Sequence, residues 1–123
     1  MTISFTVPGL PVSYKRNDHN FGQRKSFLPK RYRDYRNAVA LIAKSLMRGR
    51  EYTTKPVSVI IKIYHKVKAD SHNSGDIDNH LKSILDSLNK IVFKDDGQVV
   101  QATVFKFKDE TNPRVEVYIT DEF

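Results

Sequence analysis

The chain has 123 residues, a length that supports a single domain spanning residues 1–123 with one hydrophobic core and leaves no room for a separate substrate-binding domain. Apolar residues make up 39% and charged residues 28%, outside the range where disorder prevails, and the absence of cysteine excludes disulfides, zinc–thiolate sites and thiol nucleophiles. The net charge of +7 is uneven: residues 1–55 hold 12 Lys or Arg against 3 acids, and residues 56–123 hold 9 against 11, as expected where one surface attracts a polyanion and another gathers carboxylates.

Charge alone leaves open a merely basic surface with no ligand. The N-terminus has no basic lead followed by a long apolar core, and no apolar run approaches a membrane span, so a soluble cytoplasmic protein is expected.

Residues 2–7 alternate, with Ile3, Phe5 and Val7 on one face, the period of a half-buried strand stopped by Pro8, Gly9 and Pro11. Residues 12–29 are polar, basic and aromatic without a period, which predicts a long surface loop of the kind that carries function. From Pro29, Tyr32, Tyr35, Val39, Ile42, Ala43 and Leu46 recur at spacings of three and four up to Gly49, predicting an amphipathic helix with Arg33, Arg36, Lys44 and Arg48 opposite.

A second strand follows over residues 57–66, where Val57, Val59, Ile61 and Ile63 alternate with Ser58, Ile60, Lys62 and Tyr64. The turn-rich residues 68–75 lead into a second helix over residues 76–90, with Ile77, Leu81, Ile84, Leu85 and Leu88 as its apolar stripe. Asp78, Lys82, Asp86 and Asn89 line the opposite side. Lys94, Asp95, Asp96 and Gly97 turn the chain into a strand over residues 98–108, and residues 109–113 reverse it into a last strand over 114–120. The predicted order β-α-β-α-β-β implies an α/β (α+β) fold, a single mixed sheet of about four strands covered by two helices, with the last two strands paired as an antiparallel hairpin.

Asp76 and Asp78 stand two residues apart at a helix start, where frayed geometry lets both carboxylates converge. Two close acids repel unless a cation intervenes, and an all-oxygen set favours Mg²⁺ or Mn²⁺. The alternative is that Asp76 caps the helix while Asp78 complements its dipole. Asp95, Asp96 and Gly97 carry the same ambiguity, since Asp-Gly is a frequent turn. Lys82 can hold a phosphate or form an i, i+4 ion pair, most simply with Asp86. His19, His65, His72 and His80 are scattered and are assigned no chemistry.

The combined pattern D-x-D-N-x-x-K-x-x-x-D-x-L-N followed by D-D-x-Q-V, spanning residues 76–99, resembles the RusA-type Holliday junction resolvases. The similarity extends more weakly to the Pro-rich exit of the first strand and to Tyr35 and Arg36. It implies a RusA-like domain, with Asp76, Asp78 and Asp96 as catalytic metal ligands and Lys82 needed for catalysis, Asp96 being brought in by its turn to close the cage. It also implies a Mg²⁺-dependent endodeoxyribonuclease in which Mn²⁺ substitutes, cutting a four-way junction by paired nicks in recombination and repair and leaving 5′-phosphate and 3′-hydroxyl ends. A near two-fold substrate implies a homodimer, for which the apolar faces of the terminal strands are candidate surfaces, and the family's distribution fits a bacterial or phage-encoded protein. The chain departs from some members in having Ser74 and Gly75, not basic residues, directly ahead of the first acid.

A carboxylate cluster repels DNA, so Lys15, Arg16, Arg24, Lys25, Lys30, Arg31 and Arg33 are the expected phosphate contacts, with Tyr14 and Phe21 stacking on unpaired bases. No membrane or small-molecule cofactor is expected as a partner. Two other readings stay open from residues alone: a nuclease acting on forks or flaps, and a non-catalytic basic DNA-binding protein whose acids are caps and turns.

Overall fold

A computed structural model describes residues 1–14 and 29–123. Lys15, Arg16, Phe21, Arg24 and Lys25, and with them most of the expected 12–29 loop, lie outside the described residues. The elements are β1 (Thr2–Pro8), α1 (Lys30–Met47), β2 (Val57–His65), α2 (Ile77–Leu88), β3 (Val99–Lys108) and β4 (Arg114–Thr120), with short 3₁₀ turns at His72–Ser74 and Asp96–Gln98. One mixed four-stranded sheet and two helices form an α+β fold.

The alternating residues of β1, β2 and β4 face one side, where Ile3, Phe5, Val7, Val59, Ile61, Ile63, Val115, Val117 and Ile119 are buried under the helices. From α1 the buried contributors are Tyr32, Val39, Ala43 and Met47, close to the predicted stripe. On α2, Ile84, Leu85 and Leu88 pack inward, but Ile77 is exposed because the first turn projects past the core; His80, Ser83 and Ser87 are buried in company with the stripe. Ser83 donates to the Val12 carbonyl at 2.7 Å and Ser87 to the Ser83 carbonyl at 2.8 Å, which removes the cost of burying their hydroxyls. No helix among the described residues is long and apolar enough to cross a membrane.

The strand order β1-β4-β2-β3 corrects the expected hairpin. β3 runs parallel to β2, whereas β4 inserts antiparallel between β1 and β2. The burial patterns agree with this order: β4 buries every second residue on the face it shares with β1 and β2, while β3 is mostly exposed and lies at an edge. The polar turn at residues 109–113, with Asp109, Asn112 and Pro113, reverses the chain but does not dictate which strand it meets. The turn crosses the end of β2, where the Asp109 N–H donates to the His65 carbonyl at 2.7 Å.

Candidate active site

The β2-α2-β3 unit is a parallel crossover, so its helix starts beyond the C-terminal end of β2 and ends near the N-terminal end of β3. Asp76 and Asp78 occupy the first of these ends. Asp76 is the N-cap residue of α2 with extended backbone, yet its carboxylate makes no cap hydrogen bond, and Asp78 follows in the first turn. Both are exposed, and among the described residues neither side chain has a hydrogen-bond or ion-pair partner. The cap reading of Asp76 is therefore not the one the geometry adopts.

The backbone ahead of Asp76 is held by other groups. The Ser74 hydroxyl donates to the Ser71 carbonyl at 2.7 Å, the buried His80 ring bonds the Ser74 carbonyl, and Lys106 on β3 donates to the Ser74 hydroxyl at 3.0 Å and to the Gly75 carbonyl at 2.8 Å. Gly75 adopts φ +83°, a region that favours glycine, and a Cβ there would fall 2.7 Å from His80 Nε2 and 2.8 Å from the Ser13 hydroxyl. His80, given no role from sequence, is thus part of the scaffold that delivers the acids. Its i, i+4 relation to Asp76 was the available signal. Burial pushes the His80 imidazole below its ordinary value, so it bonds Ser74 as a neutral ring, donating from Nε2.

One turn further along α2, Lys82 pairs with Asp86 at 3.3 Å, the i, i+4 contact expected from their spacing. The Lys82 ammonium also lies 4.9 Å from the centroid of the Tyr14 ring, which meets Tyr32 edge-on at 5.3 Å. The Tyr32 hydroxyl donates to Asp86 at 3.3 Å, and burial, with the Asp86 charge, pushes that phenol well above its usual range. Tyr14, Tyr32, Lys82 and Asp86 form one network beside the acids, with Lys82 about half exposed.

A cavity of about 510 Å³ opens at the same end, lined by Ser13, Tyr14, Arg31, His65, His72 and Asp76 among others. Burial, and after it the charges of Arg31 and Lys106, push the His65 imidazole in its lining below the ordinary value. Arg31 and Arg33 are exposed on the first turn of α1, and Lys30 pairs with Asp34 at 2.8 Å without being buried.

Asp96 lies elsewhere. It opens the 3₁₀ turn before β3, and Gln98 in that turn donates to the carbonyls of Thr53 and Lys55 at 2.9 Å, beside the start of β2. Asp95, whose role the sequence left open, accepts from the Gly97 N–H at 2.9 Å in a capping box completed by Gln98. The Asp96 side chain has no hydrogen-bond partner among the described residues.

α2 is 12 residues long, about 18 Å at 1.5 Å per residue, and runs from the end of the crossover that holds Asp76 and Asp78 toward the end that holds Asp96. Oxygens sharing one Mg²⁺ sit at about 2.1 Å from it and so within roughly 4 Å of each other. Within one chain the cage expected of the three acids does not close, and the described residues contain no group of three or more His, Asp or Glu that could hold a metal. Sequence order hid this, because 18 residues separate Asp78 from Asp96 and a crossover helix carries them apart. The donor set itself fits a hard cation: carboxylates with no hydrogen bond among the described residues, on a backbone held by Ser74, His80 and Lys106.

Comparison with known proteins agrees with the motif. The chain is 34% identical to the uncharacterized protein YqaN of Bacillus subtilis (strain 168), over 97% of this chain and 96% of that protein. Residues 8–120 match the family described as endodeoxyribonuclease RusA, which takes in both acid groups, Lys82 and the whole crossover. The chain therefore belongs to the RusA endodeoxyribonuclease family and is an endonuclease.

Proposed function

We propose that this protein is a magnesium-dependent, structure-specific endonuclease that resolves four-way DNA junctions by paired nicks in opposite strands, working as a homodimer with two metal sites shared between copies. The observation that carries this reading is the division of three carboxylates, none hydrogen-bonded among the described residues, between opposite ends of β2-α2-β3. Asp76 and Asp78 of one copy and Asp96 of the other then form each site.

The edge strand β3 offers the joining surface. Its ten residues leave one side unpaired, and Val100 (61% exposed), Phe105 (44%) and Phe107 (39%) face solvent. On β1, the opposite edge, Ile3, Phe5 and Val7 are already buried and the exposed positions are Thr2, Ser4 and Thr6. Two-fold antiparallel pairing of β3 strands sets the N-terminal end of one, with Asp96, beside the C-terminal end of the other, where Lys106 reaches toward Asp76.

A bound Mg²⁺ would activate water and offset the charge that develops on the phosphate and the leaving 3′ oxygen, and Mn²⁺, accepted by the same hard oxygen donors, substitutes for it. The chain's own groups do the rest: Asp76 and Asp78 hold the ion, Lys82, kept near the acids by Asp86 and Tyr14, orients the scissile phosphate, and Lys30, Arg31 and Arg33 with Lys15, Arg16, Arg24 and Lys25 supply phosphate contacts. Tyr14 and Phe21 are the residues offered to unpaired bases.

The test is cleavage of a labelled four-way junction, a fork and a linear duplex, each with Mg²⁺ or EDTA. Paired nicks confined to the junction and requiring Mg²⁺ are expected. Preferential cutting of the fork would assign a different branched substrate, and tight binding without cleavage in any divalent ion would contradict a catalytic role.

A further inference from the structure

Lys106 stands on the helix-facing side of β3, in register with the buried Ile63 of β2, and is itself half-buried. Its ammonium donates to two neutral oxygens, the Ser74 hydroxyl and the Gly75 carbonyl, and no described carboxylate lies within ion-pair distance of it. A partly desolvated cation bonded only to neutral groups is an expensive way to hold a turn, since a neutral donor would suffice. The peptide it grips runs directly into Asp76. From the other side, the Asp76 carbonyl accepts the His80 N–H at 3.0 Å while the His80 ring holds the Ser74 carbonyl. The turn is thus clamped by one group from α2 and one from the edge strand, packed so closely that a side chain at Gly75 would meet His80 and Ser13.

We infer that Lys106 is a positioning residue for the metal site, fixing the Ser74 and Gly75 peptides so that the Asp76 carboxylate is aimed beside that of Asp78 before the ion arrives. This rests on the reading in which Asp76 binds metal. A preformed ligand pair lowers the ordering cost of binding, and outer groups that orient metal ligands are typically worth about 10- to 100-fold in metal affinity. Because the clamp spans α2 and β3, it makes the geometry of the acids depend on the edge strand and not on the helix alone.

The test compares the native full-length protein with Lys106→Met, which keeps the apolar stem, Lys106→Arg, which keeps charge and donors, and Lys108→Met on the same strand as a control. Mn²⁺ binding without DNA is followed by electron paramagnetic resonance, together with melting temperature, junction affinity and the Mg²⁺ dependence of cleavage. Lys106→Met is expected to raise half-saturation for Mn²⁺ and Mg²⁺ by about tenfold while leaving the cleavage rate at saturating Mg²⁺ within about threefold of native. Lys106→Arg recovers most of the affinity, and Lys108→Met changes neither. A metal half-saturation within twofold of native in Lys106→Met, accompanied by lower stability or by weaker junction binding, would overturn the inference and leave Lys106 a structural or phosphate-contacting group. A native protein that binds no divalent ion would instead bring down the functional reading, and this inference with it.

Discussion

Each end of the β2-α2-β3 crossover carries a pair of acids, and the two pairs are supported differently. At the C-terminal side, Asp95 is consumed by its own turn, accepting the Gly97 N–H and completing a capping box with Gln98, so that its neighbour Asp96 is left uncommitted. At the N-terminal side neither Asp76 nor Asp78 is spent on the backbone of the described residues, and the turn ahead of them is held by Ser74, His80 and Lys106. An acid at a helix start or an Asp-Gly turn is ordinarily structural, and what frees a carboxylate for metal is another group taking over the structural task. The comparison separates Asp95 from Asp96, which composition and spacing could not.

The sharpest way to break this comparison is to remove the acids one at a time. Asp78→Asn and Asp96→Asn should each reduce junction cleavage to background while preserving junction affinity and melting temperature, measured by gel cleavage, binding titration and calorimetry. Asp95→Ala should do the reverse, keeping cleavage and losing about 1 kcal/mol of stability with its cap. Equal loss of activity in all three variants would mean that the two acids of the turn share one role.

The sheet edges allow a second test of intermediate size. Lysines placed on the exposed side of an edge strand oppose edge-to-edge pairing, so Val100→Lys combined with Phe105→Lys should shift the protein from dimer to monomer in sedimentation and weaken cleavage in parallel. The same change on β1, Ser4→Lys, should do neither. A dimer that survives the β3 change would place the interface elsewhere.

The smallest effect concerns the chain termini, away from Asp76 and Asp78 and joined to the Asp96 turn through Thr53. The N-terminal ammonium donates to Asp121 at 2.7 Å, and this bond, with the Thr53 hydroxyl, holds the Asp121 carboxyl below its usual range. A depressed folded value means stability that is present above the unfolded value of about 3.9 and is lost as pH falls through the folded one. Asp121→Asn should therefore melt a few degrees below native at pH 7, with the difference shrinking below about pH 4 and cleavage unaffected. A gap that persists at pH 3 would show that the carboxylate charge is not its source.

Much of this architecture was legible in the sequence because apolar periodicity reports burial directly: Ile3, Phe5 and Val7, or Val115, Val117 and Ile119, mark a covered sheet face without reference to anything distant. Strand pairing was not legible, since the short turn at residues 109–113 suggests a hairpin and only the observed ladders place β4 between β1 and β2. Within the site, Asp76, Asp78 and Lys82 could be read from one helix, and the Lys82–Asp86 pair followed from helical spacing. The clamp by Lys106 could not, because it joins residues 31 apart through a strand whose register the sequence does not encode. The distance of Asp96 from its expected companions is likewise a property of the crossover, invisible until the parallel pairing of β2 and β3 is known.

If each metal site draws on two copies of the chain, mixed dimers of complementary variants will recover one working site. Asp78→Asn and Asp96→Asn proteins, each inactive alone, are combined, allowed to exchange subunits and given a labelled junction with Mg²⁺. In a shared arrangement the mixed dimer gathers both substitutions into one site and leaves the other intact, so single-strand nicking should return without paired cuts. If every site were built within one chain, both halves of the mixed dimer would be defective, and no cleavage would return at any ratio of the two proteins.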